Sequence, residues 1–185
     1  MSDEHHFERE YWGNCANTFD EDQKHYVYAK YLGLEQKHYS FDVHNKKILD
    51  IGGGPTSMLL KCINLKYGKV CDPIYYPVWT TLRYKSHNID VDVMPGEEVN
   101  LTGFDEVWIY NCMQHAEDVK KIIDNSKRAA SVLSIFEWID IPPHEGHPIM
   151  LTKDLLDDVI GQTGNTVKLA TSGCYGTAYY GTFYF

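Results

Sequence analysis

The run Lys47-Ile48-Leu49-Asp50-Ile51-Gly52-Gly53-Gly54-Pro55-Thr56-Ser57 constrains this chain more than any other stretch. A short apolar segment ends in an acid and three glycines, then opens into the spacing of a helix. That order describes a strand, a tight turn and a helix start able to receive a ligand. Glycine lets a backbone approach closely because no Cβ intervenes, and a helix start offers unpaired N–H groups. About twenty residues further on, Lys69-Val70-Cys71-Asp72-Pro73 forms a second short strand ending in an acid. An acid at that distance suits the two hydroxyls of a ribose. The pairing reads as the site of a nucleoside-type cofactor.

From Lys46 onward strand and helix patterns alternate. Strands are predicted at 46–51, 68–72, 89–93, 104–110 and 130–138. Helices are predicted at 57–67, 75–86 and 118–128, with a fourth starting at Thr152. In the helix over 75–86, Ile74, Val78 and Leu82 are expected to share a side; that over 118–128 is expected to turn Val119, Ile122 and Ile123 inward. Two last strands, near 165–171 and 177–185, are separated by too few residues for a crossover, so the last must run antiparallel. Such alternation builds a parallel sheet covered by helices on both faces. The expected fold is therefore α/β: three layers, doubly wound, with seven mostly parallel strands and an antiparallel last strand.

Residues 1–45 form a lead-in to this 46–185 core within a single domain. Asp20-Glu21-Asp22-Gln23 looks like a helix start with a capping box, and Gly33 like its stop. Ahead of it, residues 8–19 carry Tyr11 and Trp12 and are expected to fold over the sheet as a lid.

The chain has 185 residues with 26 acidic against 17 basic, a net charge of −9. That argues against a nucleic-acid partner, whose backbone is gripped by clustered Lys and Arg. The five cysteines are odd in number with no CxxC spacing, as in a reduced, cytoplasmic protein. Met1–Glu10 lacks the basic and apolar regions of a signal peptide, and no apolar stretch approaches membrane-spanning length. No metal site is expected: His144-Glu145-Gly146-His147 lacks the His-Glu-x-x-His spacing of a zinc protease and follows prolines rather than lying in a helix.

Three stretches together resemble the class I S-adenosylmethionine-dependent methyltransferase family over residues 46–185. Leu49-Asp50-Ile51-Gly52-Gly53-Gly54-Pro55 resembles its first motif, with Thr56 where the fullest form has another glycine. Asp72 matches its ribose-binding acid. Phe104 to Asp118, with His115 before Glu117-Asp118, resembles its fourth strand and following loop.

The resemblance implies S-adenosylmethionine as cofactor. Asp50, Gly52, Gly53 and Gly54 would lie at its methionine tail and Asp72 at the ribose. Met94, Pro95 and Glu97, or Glu98, would lie near the adenine, and Asn111 and Cys112 again on the methionine side. Tyr11 and Trp12 would wall the methyl-bearing sulfur or the acceptor pocket. If the transfer needs a base, His115 is best placed and His147 second. The acceptor would be a small molecule or a protein side chain, because the motifs of DNA amino and cytosine-C5 methylation are missing after strand four. Two alternatives stand beside this reading: a protein that keeps the fold without catalysis, and a nicotinamide-dependent oxidoreductase.

Overall fold

The computed structural model describes residues 6–144, 146–171 and 173–185. Met1 to His5, half of the Met1–Glu10 stretch noted above, and Glu145 of the histidine loop lie outside them.

Two helices, α1 (His6–Gly13) and α2 (Cys15–Tyr31), lead into a hairpin of β1 (Glu35–Lys37) and β2 (Ser40–Asp42). Then come β3 (Lys47–Ile51), β4 (Cys62–Ile63), β5 (Tyr67–Asp72), α3 (Val78–Ser86) and β6 (Ile89–Val93). The second half holds β7 (Glu106–Tyr110), α4 (Val119–Ala129), β8 (Val132–Ile139), α5 (Lys153–Ile160), β9 (Asn165–Thr171) and β10 (Cys174–Tyr184).

Seven strands form one sheet in the order β6-β5-β3-β7-β8-β10-β9. Neighbours from β6 to β8 are parallel, and β10 runs antiparallel to both β8 and β9. This is the expected α/β sheet with its antiparallel last strand. Alternate residues of each central strand serve opposite faces. Leu49, Ile51, Val107, Ile109, Leu133 and Ile135 pack with Ile122, Ile123 and Leu156 from α4 and α5. Ile48, Val70, Trp108 and Phe136 pack with Tyr28 and Leu32 from the N-terminal segment and Tyr84 of α3. Asp118 and Thr152 cap α4 and α5 through their side chains, and Gly33 follows α2 at φ +73°.

Three local expectations are overturned. No helix follows the glycine turn. Residues 54–61 make two 3-10 turns, and Cys62–Ile63 pairs with β2 to complete a small sheet. Ser57, at φ −48° and ψ 144°, breaks the segment between the two turns, and it is pinned there as Ser57 N donates to Tyr84 Oη at 2.7 Å and Met58 N to Tyr110 Oη at 3.0 Å. Secondly, α2 begins at Cys15 and runs through Asp20, because Glu21 turns inward to accept from Tyr28 and Asn111 instead of capping a helix start. Finally, the side expected to be shared by Ile74, Val78 and Leu82 is split, since Ile74, ahead of α3, is buried. Thr80 and Tyr84 are buried while Val78 and Leu82 face solvent. The hydroxyl of Tyr84 is required at the glycine turn, and this sets the roll of the helix.

Candidate functional site

The site lies at the carboxyl ends of the parallel strands, the edge where open α/β sheets bind ligands. Gly52 and Gly54 have φ of +76° and +62°, a conformation that L side chains resist. Space is equally decisive. A Cβ at Gly52 would lie 2.5 Å from Cys112 Sγ, and one at Gly53 would lie 2.5 Å from Asp50 Oδ2. The turn is thus threaded between the ends of β3 and β7.

Asp50 is fully buried beneath it. Its Oδ2 accepts from Ser57 Oγ at 2.5 Å and from Tyr110 Oη at 2.6 Å. Burial, the dominant influence, pushes its carboxyl up to about 7. Its Oδ1 has no hydrogen-bond partner among the described residues. Tyr84 Oη donates to Gly54 O at 2.7 Å, and Arg83 donates to Pro55 O at 2.6 Å, so α3 braces the turn from outside.

Asp72 ends β5 next to the turn. Its Oδ2 accepts Gly54 N–H at 3.0 Å; its Oδ1 accepts Ile74 N–H at 2.9 Å and Tyr76 Oη at 3.2 Å. Both oxygens therefore carry internal bonds. Trp12 covers the outer face of the turn, its ring 3.3 Å from where a Gly54 Cβ would sit.

Trp12 also lines a cavity of about 420 Å³. Phe7, Tyr11 and Trp12 wall it from α1, Glu21 and Lys24 from α2, and Asn111, Gln114 and His115 from the end of β7. Trp138, Ile141, His144, His147 and Tyr175 close the far side. Five predicted site residues (Tyr11, Trp12, Asn111, His115 and His147) thus meet in one space. The ring centroids of His115 and His147 are 4.7 Å apart, and those of His144 and His147 are 4.4 Å apart. Burial and these two neighbours push His147 down to about 4, so it is neutral at pH 7.

A relay fixes the wall near Asn111. The Glu21 carboxylate can only accept, so Asn111 presents its Nδ2 to it at 2.9 Å. The Asn111 Oδ1 then accepts from Gln114 Nε2 at 3.1 Å.

The other predicted residues lie elsewhere. Met94 is half-buried against the core, and Pro95 precedes a 3-10 turn at Gly96–Glu98. Glu97 Oε1 accepts the N–H groups of Glu117 and Asp118 ahead of α4. None of the three lines the cavity. Cys112 donates its thiol to Ile51 O at 3.3 Å. Enclosure, followed by nearby Glu137, holds that thiol well above its usual range, so it is no thiolate nucleophile.

Glu137, on β8, escaped the sequence reading. Fully buried, it accepts Cys112 N–H at 3.0 Å and Met113 N–H at 3.1 Å, fixing the backbone of the site loop. A single Glu inside the apolar run 130–138 was the one available signal. The hydroxyls of Tyr76, Tyr84 and Tyr110 gave none, because nothing in a sequence marks which tyrosines face a turn.

No protein-family model and no curated protein matches the sequence. Solved structures do match in shape. A SAM-dependent methyltransferase from Aquifex aeolicus aligns with TM-score 0.55 at 16% identity, over 83% of this chain and 86% of that one. The N-methyltransferase NodS from Bradyrhizobium japonicum aligns at 0.62 and 13%, over 87% and 95%. A SAM-dependent methyltransferase from Thermotoga maritima aligns at 0.61 and 10%, over 90% and 91%. At such identities the likeness concerns architecture. With this strand order, the antiparallel β10 and the glycine turn after β3, the chain has the class I S-adenosylmethionine-dependent methyltransferase fold.

Proposed function

We propose that the protein is an S-adenosylmethionine-dependent methyltransferase that takes its acceptor into the cavity between α1 and the ends of β7 and β8. The observation that carries this reading is the place of the cavity. It lies past the carboxyl ends of β7 and β8, shares Trp12 with the face of Gly54, and combines aromatic walls with a few polar groups, the composition of a small-molecule site.

The residues fit the cofactor's chemistry. Asp72 offers two acceptor oxygens for a diol, and the glycines allow close backbone approach, while the buried Asp50 holds the turn from beneath through Ser57 and Tyr110. Binding requires α1 to move so that Trp12 leaves the face of Gly54, as a lid does, and Tyr76, ahead of α3, to release Asp72.

The cofactor supplies an electrophilic methyl on a sulfonium. The chain's own task is to orient the acceptor and exclude water. Aromatic faces of Trp12, Trp138 and Tyr175 can hold a planar or apolar acceptor. Neutral His147 can accept a hydrogen bond from its N–H or O–H and align the lone pair, and its low basicity makes it an orienting group more than a strong base. The acceptor class is a small molecule or a side chain inserted from a protein.

The saturated Asp72 favours a second reading, in which the fold is kept without catalysis. Transfer of labelled methyl from S-adenosylmethionine to a panel of small amines, phenols and peptides tests the first. Incorporation that falls on His147→Ala supports it. Cofactor binding without transfer to any acceptor favours the second.

A further inference from the structure

Helix α1 touches both halves of the site. Near its end, Trp12 covers the glycine turn, its ring 3.3 Å from the position of a Gly54 Cβ. Near its start, Phe7 covers the histidine loop, where a Cβ on Gly146 would lie 2.5 Å from Phe7 Cε1. Tyr11, between them, lines the cavity and meets Trp12 at right angles, the ring centroids 5.1 Å apart. One helix of eight residues thus spans from the glycine turn to a loop that follows it by some ninety residues.

The two contacts cannot be broken independently. Asn14 alone separates α1 from α2, and both Asn14 N and Asn17 Nδ2 donate to Tyr11 O, at 3.2 and 3.0 Å. The carboxyl end of α1 is therefore its pivot. Phe7 lies five residues beyond Trp12 on the far side from that pivot, about 7.5 Å along a helix axis. A swing that lifts Trp12 from Gly54 must carry Phe7 further still, away from Gly146. The loop that Phe7 covers is the one that sets His147. His144 and His147 exchange backbone hydrogen bonds at 3.0 and 2.9 Å, and Gly146 is buried between them.

We propose that Phe7 on Gly146 is a latch, which holds α1 down on the glycine turn from the acceptor side. The cofactor turn and the acceptor cavity then open together. This rests on reading the turn as the S-adenosylmethionine site. The latch lowers the apparent affinity for cofactor, because only molecules with α1 raised can take it in. An acceptor that enters the cavity and displaces Phe7 strengthens cofactor binding, and by reciprocity the cofactor strengthens binding of that acceptor.

Calorimetric titration of the full chain with S-adenosylhomocysteine reads the latch without any acceptor. Phe7→Ala removes the ring, and Gly146→Ala drives it away with a Cβ. Each should tighten binding about fivefold or more, the lower end of ordinary coupling between sites. The double variant Phe7→Ala and Gly146→Ala should bind no tighter than the tighter single one, because both changes remove the same contact. Far-ultraviolet dichroism should stay native, since neither residue belongs to the two core clusters of the sheet. Native binding that Gly146→Ala leaves unchanged or weakens would overturn the latch and leave the cofactor reading intact. Gains that add in the double variant would also overturn it. Silence of the native chain and all three variants would overturn the cofactor reading, and the latch with it.

Discussion

Replacing Glu137 by glutamine should make folding stability less dependent on pH. Burial raises this carboxyl from 4.5 to about 7, against the opposing pull of the Cys112 and Met113 N–H groups. A folded-state value above the unfolded one favours the protonated form on folding. Its stabilisation is complete below the unfolded value and is lost as pH rises through the folded one. At 1.36 kcal/mol per unit, the native chain should lose about 3 kcal/mol from this group between pH 4.5 and 8. Glutamine keeps the volume and a carbonyl acceptor but does not ionise. At pH 5 the two proteins should therefore match to within about 1 kcal/mol, the worth of one neutral hydrogen bond. At pH 8 the variant should be up to about 3 kcal/mol more stable. Paired urea titrations at the two values read the difference, and other titrating groups, including Asp50, cancel between the proteins. A difference that stays flat with pH, or that favours the native chain at pH 8, would refute the buried-charge account of this site loop.

Gly52→Ala should cost about 2–4 kcal/mol in urea unfolding, combining a left-handed backbone with a clash against Cys112; a cost under about 0.5 kcal/mol would refute the packing described. Tyr84→Phe removes the acceptor of Ser57 N–H and the donor to Gly54 O. It should destabilise by about 2 kcal/mol and lower the melting temperature by roughly 4–8 °C; an unchanged melt would mean these bonds contribute nothing. Adding S-adenosylhomocysteine should slow amide hydrogen exchange across α1, the segment bearing Trp12. Equal exchange with proven binding would make α1 a fixed wall.

Much of the architecture was legible because it rests on local chemistry. Asp118 and Thr152 sit where a cap is needed and do cap. Gly33 ends α2, and the short link between β9 and β10 dictates a hairpin. The failures have a common cause in tertiary hydrogen bonding. Met58, Leu59, Cys62 and Ile63 carry a helical pattern, yet Cys62–Ile63 pairs with β2 while the hydroxyls of Tyr84 and Tyr110 pin Ser57 and Met58. The same Tyr84 rolls α3 and leaves Val78 and Leu82 in solvent. At the site, Trp12, Asn111, His115 and His147 were visible because strand ends and flanking loops converge at one sheet edge. The role of Glu137 and the internal bonds of Asp72 were not visible, because both depend on which strand lies beside which.

Calorimetric titration of the intact chain with S-adenosylhomocysteine, run beside NADH, tests the central claim most directly. The chain should give a saturable one-to-one isotherm with S-adenosylhomocysteine and no heat of binding with NADH. Saturation by NADH alone would make the turn a dinucleotide site, and silence toward both would mean that this chain keeps the methyltransferase fold without its cofactor.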